Sequence, residues 1–419
     1  MPNLAQLLTT KSSVEQRRIF DLCRELSADV ANFDGVYVVG GVVRDLVLGR
    51  KPGDVDISVV GDAEVFSRSL ASGLGAGRPA KSEFLTFKIV VGGDGPSTID
   101  IVTARSETYP EPGALPVVVP SPIEHDLRRR DFTVNSMAIS LSNSSWGNLV
   151  DPANGFGDIM RKRIRVLHDS SFEDDPTRMF RAVRYATRLD FSIDERTQQL
   201  ISNSLRNVDR LSGARVLTEF ELILGEPKNA EMLGRAEEYG LLSAISPGLR
   251  IGSKSLDLLE AGYSEEISDI RALISYGLTE GESQQIFERF DRPGAWSDPI
   301  FDGPRLAALA PVLDRDDIKR SEIHKLLHAF SLPSIRAYIA AGAPLPRRGR
   351  MVEYMDKIRF EEPEITGDDL IAAGIPEGPV IGKLIDLVTR ARLDGQVKTK
   401  EEELALAKSR VPGFLAGQG

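Results

Sequence analysis

The chain has 419 residues, 41% of them hydrophobic and 27% charged, with a net charge of −10. This is the composition of a soluble globular protein long enough for two to four domains. No apolar run approaches the roughly 18 residues of a membrane span, and the acidic balance argues against a protein that coats nucleic acid over its whole surface. Cys23 is the single cysteine, which excludes an internal disulfide or a cysteine zinc cluster. The start, Met1-Pro-Asn-Leu-Ala-Gln, lacks the basic-then-apolar pattern of a leader, so a cytoplasmic location is expected.

In chain order, residues 14–33 carry the pattern of an amphipathic helix, and Val36–Val39 that of a short strand. The Gly40-Gly41 turn leads into a helix with Arg44 and Leu48. Val55–Val60 is a second strand and Ala63–Leu70 a helix. Phe84–Val91 and Thr98–Thr103 are β-rich runs around the glycine cluster Gly92-Gly93-Asp94-Gly95-Pro96, a hairpin signal. Residues 105–122 are proline-rich without a period and read as a loop. Ala138–Leu141 reads as a strand that closes the sheet. To about residue 150 this is an α+β pattern, a small mixed sheet with helices.

Beyond residue 150 the texture is helical. Asp175–Leu189, Asp194–Asn203 and Asp209–Leu224 place Leu, Ile, Val and Phe three and four apart. Gly/Pro segments at 225–228, 291–304 and 342–349 are expected to break the helices, with no sheet in the second half. The domain expectation is a catalytic head at 1–150, a helical neck at 151–225, and a helical body and tail at 226–419. Residues 128–188 hold eleven Lys/Arg against seven Asp/Glu, so the rest of the chain carries −14. A basic strip on an acidic body suits one groove for phosphates, or a helix surface making ion pairs.

Asp54 and Asp56 stand one residue apart beside a strand. Alternate strand residues share a face, so both carboxylates project together. Such a pair repels unless cations lie between them, and oxygen-only ligation suits Mg²⁺. Gly40 and Gly41 let backbone N–H groups approach phosphates, with Arg44 beside them. Asp100, flanked by isoleucines, is a third carboxylate if its hairpin lies beside the Asp56 strand; otherwise it is a solvent-facing residue on an edge strand. In Arg128-Arg129-Arg130-Asp131-Phe132-Thr133-Val134-Asn135, the arginines offer forks of donors to phosphate. Asp131 and Asn135, four apart, would share one helix face and receive a ribose hydroxyl or fix an arginine. In Asp174-Asp175-Pro176-Thr177-Arg178, Asp175 suits a helix N-cap and Pro176 the first helical position. An Asp/Arg pair also presents the acceptor and donor edges needed to read a nucleobase without a template. Arg178, Arg181 and Arg184 recur along one helix flank. His324 and His328 have a zinc-compatible spacing, but no third ligand is evident.

These motifs together resemble the bacterial class II tRNA nucleotidyltransferases, the family that adds or repairs the 3′ CCA end of tRNA. Gly40-Gly41-Val-Val-Arg44-Asp45 through Asp54-Val-Asp56 matches the first motif, and Arg129-Arg130-Asp131 through Asn135 the ribose and phosphate motif. Asp151-Pro152 through Asp158 resembles the flexible head-to-neck motif, and Asp174-Asp175-Pro-Thr-Arg178 the nucleobase motif, with Asp174 where many relatives have Glu. Arg215-Val-Leu-Thr-Glu219 resembles the motif of the supporting neck helix. Gly374–Gly382 and Leu393-Asp394-Gly395 resemble the C-terminal region.

The resemblance implies a polymerase-beta-like head and an all-helical neck, body and tail. It implies that Asp54 and Asp56 hold Mg²⁺, that Asp100 assists the attacking hydroxyl, and that Asp175 and Arg178 read CTP and then ATP. Arg181 and Arg184 would neutralise the triphosphate or the RNA end. The body would hold the acceptor and T arms of tRNA, with no membrane and no stable protein partner. The expected activity is CCA addition. An A-adding specialist is the first alternative. A CC-adding one is disfavoured, because such enzymes tend to lack a flexible loop where this chain has residues 105–122. A poly(A) polymerase, which tends to carry a long basic tail, and an inactive RNA-binding protein rank lower.

Overall fold

The computed structural model describes residues 3–29, 33–82, 85–91, 98–108, 117–291 and 294–416. They divide into two compact units, Met1–Ile245 and Ser246–Gly419. The first unit continues past residues 150 and 225, so the helices after the head pack with it. No helix among the described residues is long and apolar enough to cross a membrane.

The first unit is built on a seven-stranded mixed sheet. Its strands in chain order are β1 (Phe33–Val39), β2 (Val55–Gly61), β3 (Ala80–Lys81), β4 (Thr86–Val90), β5 (Thr98–Thr103), β8 (Ala138–Ser140) and β9 (Leu149–Val150). A separate ribbon is formed by β6 (Arg105–Thr108) and β7 (Val117–Pro120). The spatial order is β3-β4-β5-β2-β1-β8-β9. All neighbours are antiparallel except β2 and β5, which run parallel. The head helices are α1 (Ala5–Thr10), α2 (Val14–Asp29), α3 (Gly41–Val47), α4 (Ala63–Leu74) and α5 (Ile123–Arg128).

The two-residue period of the strands sorts the faces. Val55, Ile57, Val59, Ile99 and Ile101 are fully buried, and α4 packs on β2, β4 and β5. The intervening Asp56, Ser58 and Val60 take the other face, where Ile123 and Leu127 of α5 cluster with Val39 and Ala138. The sheet is therefore apolar on one side and carries its carboxylates on the other. Asp62 caps α4 by accepting from the Glu64 and Val65 N–H groups, which fixes where β2 ends.

After the sheet come α6 (Gly155–Met160), α7 (Ser171–Asp174), α8 (Thr177–Leu189), α9 (Glu195–Ser204) and α10 (Gly213–Leu224). A short parallel pair joins β10 (Arg163–Ile164) to β11 (Ser192–Ile193). Met179, Phe180, Val183 and Ala186 of α8 are fully buried, and α10 packs alongside α8.

Most expected elements are present, with several differences. Residues 105–122 are not wholly a loop: Arg105–Thr108 pairs with Val117–Pro120, and prolines at the strand end are tolerated because the ladder stops there. Phe84 and the Gly92–Pro96 turn lie outside the described residues. Asp131 and Asn135 do not share an α-helix face, because Thr133–Asn135 is a single 3₁₀ turn. Asp175 sits in extended geometry just before α8.

The second unit is helical throughout its described residues. One core gathers Leu306, Leu327, Ile335, Met351, Ile358 and Leu393; another gathers Ile365, Leu370, Leu384, Val388 and Ala407. Two expected breaks are in fact helical in part: Ser297–Ala308 runs through Pro304, and Leu345–Asp356 opens with Pro346 in its first turn. Pro346 is accepted because the first N–H groups of a helix need no partner; Pro304 lies in the interior of its helix, where that reason does not apply. Asp394 accepts from the Ser321 N–H and hydroxyl at 3.0 and 2.9 Å. The segment around it thus ties two helices together.

Gly155 shows how tightly the Thr133–Asn135 turn is held. A Cβ at Gly155 would lie 2.1 Å from the Thr133 carbonyl oxygen. Gly155→Ala is expected to lower the unfolding free energy by about 1–3 kcal/mol, measured by urea denaturation of the whole chain.

Candidate active site

β2 and β5 pair in a register that sets Asp56 directly beside Asp100. Asp100 therefore lies on an internal strand, not an edge. Asp54 is exposed, in the bend that precedes β2. Burial pushes the Asp56 carboxyl up to about 6; Arg130 pulls it down, while Asp100 and Asp54 push it further up. The Asp100 Oδ1 atom is shielded from solvent and has no hydrogen-bond donor. Its one ion-pair partner among the described residues is Lys88, with Nζ at 3.4 Å.

Gly40, at the end of β1, has φ +71°, which favours glycine. A Cβ there would stand 2.8 Å from an Arg130 guanidinium nitrogen. The turn therefore needs glycine both for its backbone and for the arginine that leans over it. Gly40, Gly41, Asp56, Arg130, Asp131 and Asn135 line one side of a cavity of about 320 Å³; Asp175, Arg178, Arg181 and Tyr185 line another, with Glu107 and Arg129 completing the wall. The structure thus gathers residues from the turn between β1 and α3, from β2, from the 3₁₀ turn and from α8 around one space.

The arginines are held by buried acids. Asp126, with no exposed surface, receives Arg129 at 2.7 Å and Arg130 at 3.1 Å. Burial alone would raise its pKa, but Arg130 and Arg129 outweigh it and hold the carboxyl below the usual range. Asp131 accepts from the Asn135 amide at 3.1 Å and from Arg181 at 2.7 Å; its pKa is also lowered, Arg181 overcoming burial. Arg178 donates to the Ser171 hydroxyl and the Arg129 carbonyl oxygen, both at 2.8 Å. Asp175 accepts from the Thr177 N–H and hydroxyl and from Arg215 at 2.8 Å. The cap contact and the cavity position therefore coexist in Asp175.

Five expected residues lie outside this lining: Asp54 and Asp100, placed above, and Arg44, Arg184 and Asp174. Arg44 is buried behind the cavity wall, bonded to Asp45 and to the Asn135 side chain. Arg184 is also buried and bonded to Glu219 at 2.8 Å; burial pushes the Glu219 carboxyl up, against the pull of Arg184. Neither lines the cavity. Asp174 lines an adjoining pocket of about 250 Å³ with His125 and His168. Its Oδ2 atom is 3.8 Å from His168 Nε2.

Sequence reasoning passed over Glu107, Tyr185 and Asp126. Glu107 lies in the stretch read as a loop. Asp126 stands three and four residues before Arg129 and Arg130, a helix-face spacing that marks ion pairs. Tyr185 stands seven after Arg178 on α8. Guanidinium carbons of Arg44, Arg181, Arg184 and Arg188 all lie within 5.9 Å of its ring centre.

The donor set suits a hard divalent cation. It is all oxygen, one carboxylate oxygen has no donor, and Asp56 is short of positive charge. Among the described residues no three His, Cys, Asp or Glu form a ready-made cage. Mg²⁺ takes one or two carboxylates and fills its shell from phosphates and water.

Because the Asp126 and Asp131 pKa values are lowered by folding, their stabilisation is complete above about pH 4. It is lost as the pH falls further through the depressed folded values. Asp126→Asn is expected to cost about 3–5 kcal/mol near pH 7 and to flatten the acid limb. Urea midpoints measured from pH 7 down to pH 3 read both effects.

Residues 36–165 match the family described as "Poly A polymerase head domain", and residues 190–251 match "Probable RNA and SrmB- binding site of polymerase A". The chain is 34% identical over 395 residues to the A-adding tRNA nucleotidyltransferase of Geobacter sulfurreducens, covering 89% of this chain and 44% of that one. It therefore spans less than half of that relative. It is 29% identical to the A-adding enzyme of Halalkalibacterium halodurans over 97% of this chain and 95% of that one. It is 30% identical to the CC-adding tRNA nucleotidyltransferase of Deinococcus radiodurans over 91% and 90%. Among solved structures, a CCA-adding enzyme in an apo form superposes with a TM-score of 0.80 at 28% identity, over 97% of this chain and 99% of that one. A Thermotoga maritima CCA-adding enzyme in complex with tRNA gives 0.74 at 27%, over 98% and 99%. A mixed-sheet head with these motifs, aligned over nearly its whole length with such relatives, places the chain in the class II tRNA nucleotidyltransferase family.

Proposed function

We propose that this chain extends the 3′ end of tRNA by template-independent nucleotidyl transfer from CTP, ATP or both. The observation that supports it most directly is the single cavity shared by Asp56, the Gly40-Gly41 turn, Arg130 and the Asp175/Arg178 pair. Metal-site carboxylate, phosphate turn and base-reading groups thus meet in one space. The tRNA 3′-oxygen forms the new bond to the α-phosphorus, and the bond to the β-phosphate oxygen breaks, releasing pyrophosphate.

Asp54 and Asp56 would hold Mg²⁺, which supplies charge neutralisation on the phosphates when bound. Asp100, with its donor-free Oδ1, is suited to accept a hydrogen bond from the attacking hydroxyl. Arg130 and Arg181 present charge to the triphosphate, and Gly40 keeps the turn open to it. Asp131 and Asn135 orient Arg181 and offer polar groups to ribose. Asp175 and Arg178, held by Arg215 and Ser171, present a fixed acceptor and donor edge to the base. Such fixed dipoles act chiefly by positioning. The helical second unit would hold the acceptor and T arms by backbone shape, and a cytoplasmic location would suit a tRNA substrate.

Two readings of nucleotide choice follow. The full CCA reading agrees with the CCA-adding structural relatives. The A-only reading is favoured by the A-adding relatives from Geobacter and Halalkalibacterium. The test incubates the protein with Mg²⁺ and tRNAs ending before CCA, after C and after CC, with CTP and ATP separately and together. Extension of all three gives CCA addition; reaction only with the CC-ended tRNA and ATP, the other two tRNAs staying unextended, gives A addition. Binding of tRNA without incorporation would overturn the proposal.

Asp56→Ala is expected to reduce incorporation at least about 100-fold, read by single-turnover extension. Arg178→Ala is expected to lower the preference for the correct nucleotide at least about 10-fold, read as the ratio of kcat/KM values for ATP, CTP, GTP and UTP.

A further inference from the structure

Lys88 stands on β4 directly across from Asp100, and Asp100 stands directly across from Asp56. The strand registers therefore set a row of one lysine and two aspartates across three neighbouring strands. Side chains in such cross-strand rows share a face and lie within reach of one another. The Lys88 ammonium is 3.4 Å from Asp100 Oδ1, the same oxygen that no hydrogen-bond donor reaches. The lysine side chain is 52% exposed, so a long flexible stem can leave without breaking the core.

We propose that Lys88 is a built-in counter-cation of the carboxylate row, which occupies the Asp100 end until a divalent ion displaces it. This rests on the assignment of the Asp56 region as a metal site. An ammonium beside Asp100 opposes metal binding in two ways. It offsets the Asp100 charge that would otherwise help draw a cation to neighbouring Asp56, and it repels a second positive charge a few ångströms away. Its cost in metal affinity has a counterpart in the free protein, where it offsets the repulsion between Asp100 and Asp56. Lys88 is thus a positioning residue that sets the cation concentration at which the site fills. Arg130, which leans toward Asp56 from the other side, is held by Asp126 and has no such freedom. The two cations differ in that one is anchored and the other is mobile.

The test measures Mn²⁺ and Mg²⁺ binding directly, without tRNA. Mn²⁺ binding is followed by electron paramagnetic resonance of the free ion. Mg²⁺ binding is followed by the rise of the melting temperature with metal concentration. The variants are Lys88→Met, which keeps the apolar stem, and Lys88→Arg, which keeps the charge. Lys88→Met is expected to bind both ions about 3- to 10-fold more tightly than the wild type, and Lys88→Arg to stay within about twofold. The melting temperature in EDTA reports whether each variant folds, and Asp56→Ala serves as the non-binding control. Equal metal affinity in Lys88→Met and the wild type overturns the inference and leaves the metal site standing. Absence of metal binding in the wild type overturns the metal assignment itself.

Discussion

A buried guanidinium has to be matched by a carboxylate, and the first unit is organised around that requirement. Arg129 and Arg130 are tied to Asp126, Arg181 to Asp131, Arg184 to Glu219, and Arg215 to Asp175. The Asp126 pairs are local, joining α5 to the turn after it, whereas the others link segments far apart in sequence, that turn to α8 and α8 to α10. The positive charge around the cavity is thereby fixed in place before any ligand arrives. Its groups are also partly neutralised, so an anionic ligand would meet a lattice of shared charges instead of bare cations. That arrangement reduces the reorganisation needed on binding, the property expected of a site that works by positioning.

The acids near the sheet follow a different rule. Asp56 and Asp100 are not matched by buried arginines of their own. They lie together on one face because β2 and β5 are parallel and in register. The same alternation that sends Ile57 and Ile101 into the core turns these two carboxylates away from it. The core and the candidate metal site are therefore two faces of one pairing, and a slip of one residue would exchange them.

Much of this is legible in the sequence because it is local. The Gly-Gly turn, the i, i+2 aspartates, the arginine run and the Asp175–Arg178 spacing each lie within a few residues, where strand and helix periods dictate geometry. The hairpin signal before Thr98 predicts that the Asp100 strand lies beside the Asp56 strand, and the β2–β5 pairing agrees. What the sequence hid is long-range. Arg44 and Arg184 look like phosphate ligands because they share a motif with residues that line the cavity. Their commitment to Asn135 and Glu219 depends on which elements pack together. Glu107 was lost because proline-rich sequence masks the β6–β7 ribbon. Tyr185 carries no signal as a single aromatic residue; its meaning comes from the arginines that α8 and α3 bring to its ring.

The parallel pairing of β2 with β5 has a consequence for how the protein is made. Parallel neighbours cannot be joined by a tight turn; a crossover must be completed first. Here α4, β3 and β4 intervene before β5 can dock against β2. The cavity then waits on α8, which supplies Arg178 and Arg181. A chain emerging from the ribosome thus passes through a long interval in which its motifs exist but its site does not. The cavity residues of the head and of α8 come together only once α8 has been added to the chain.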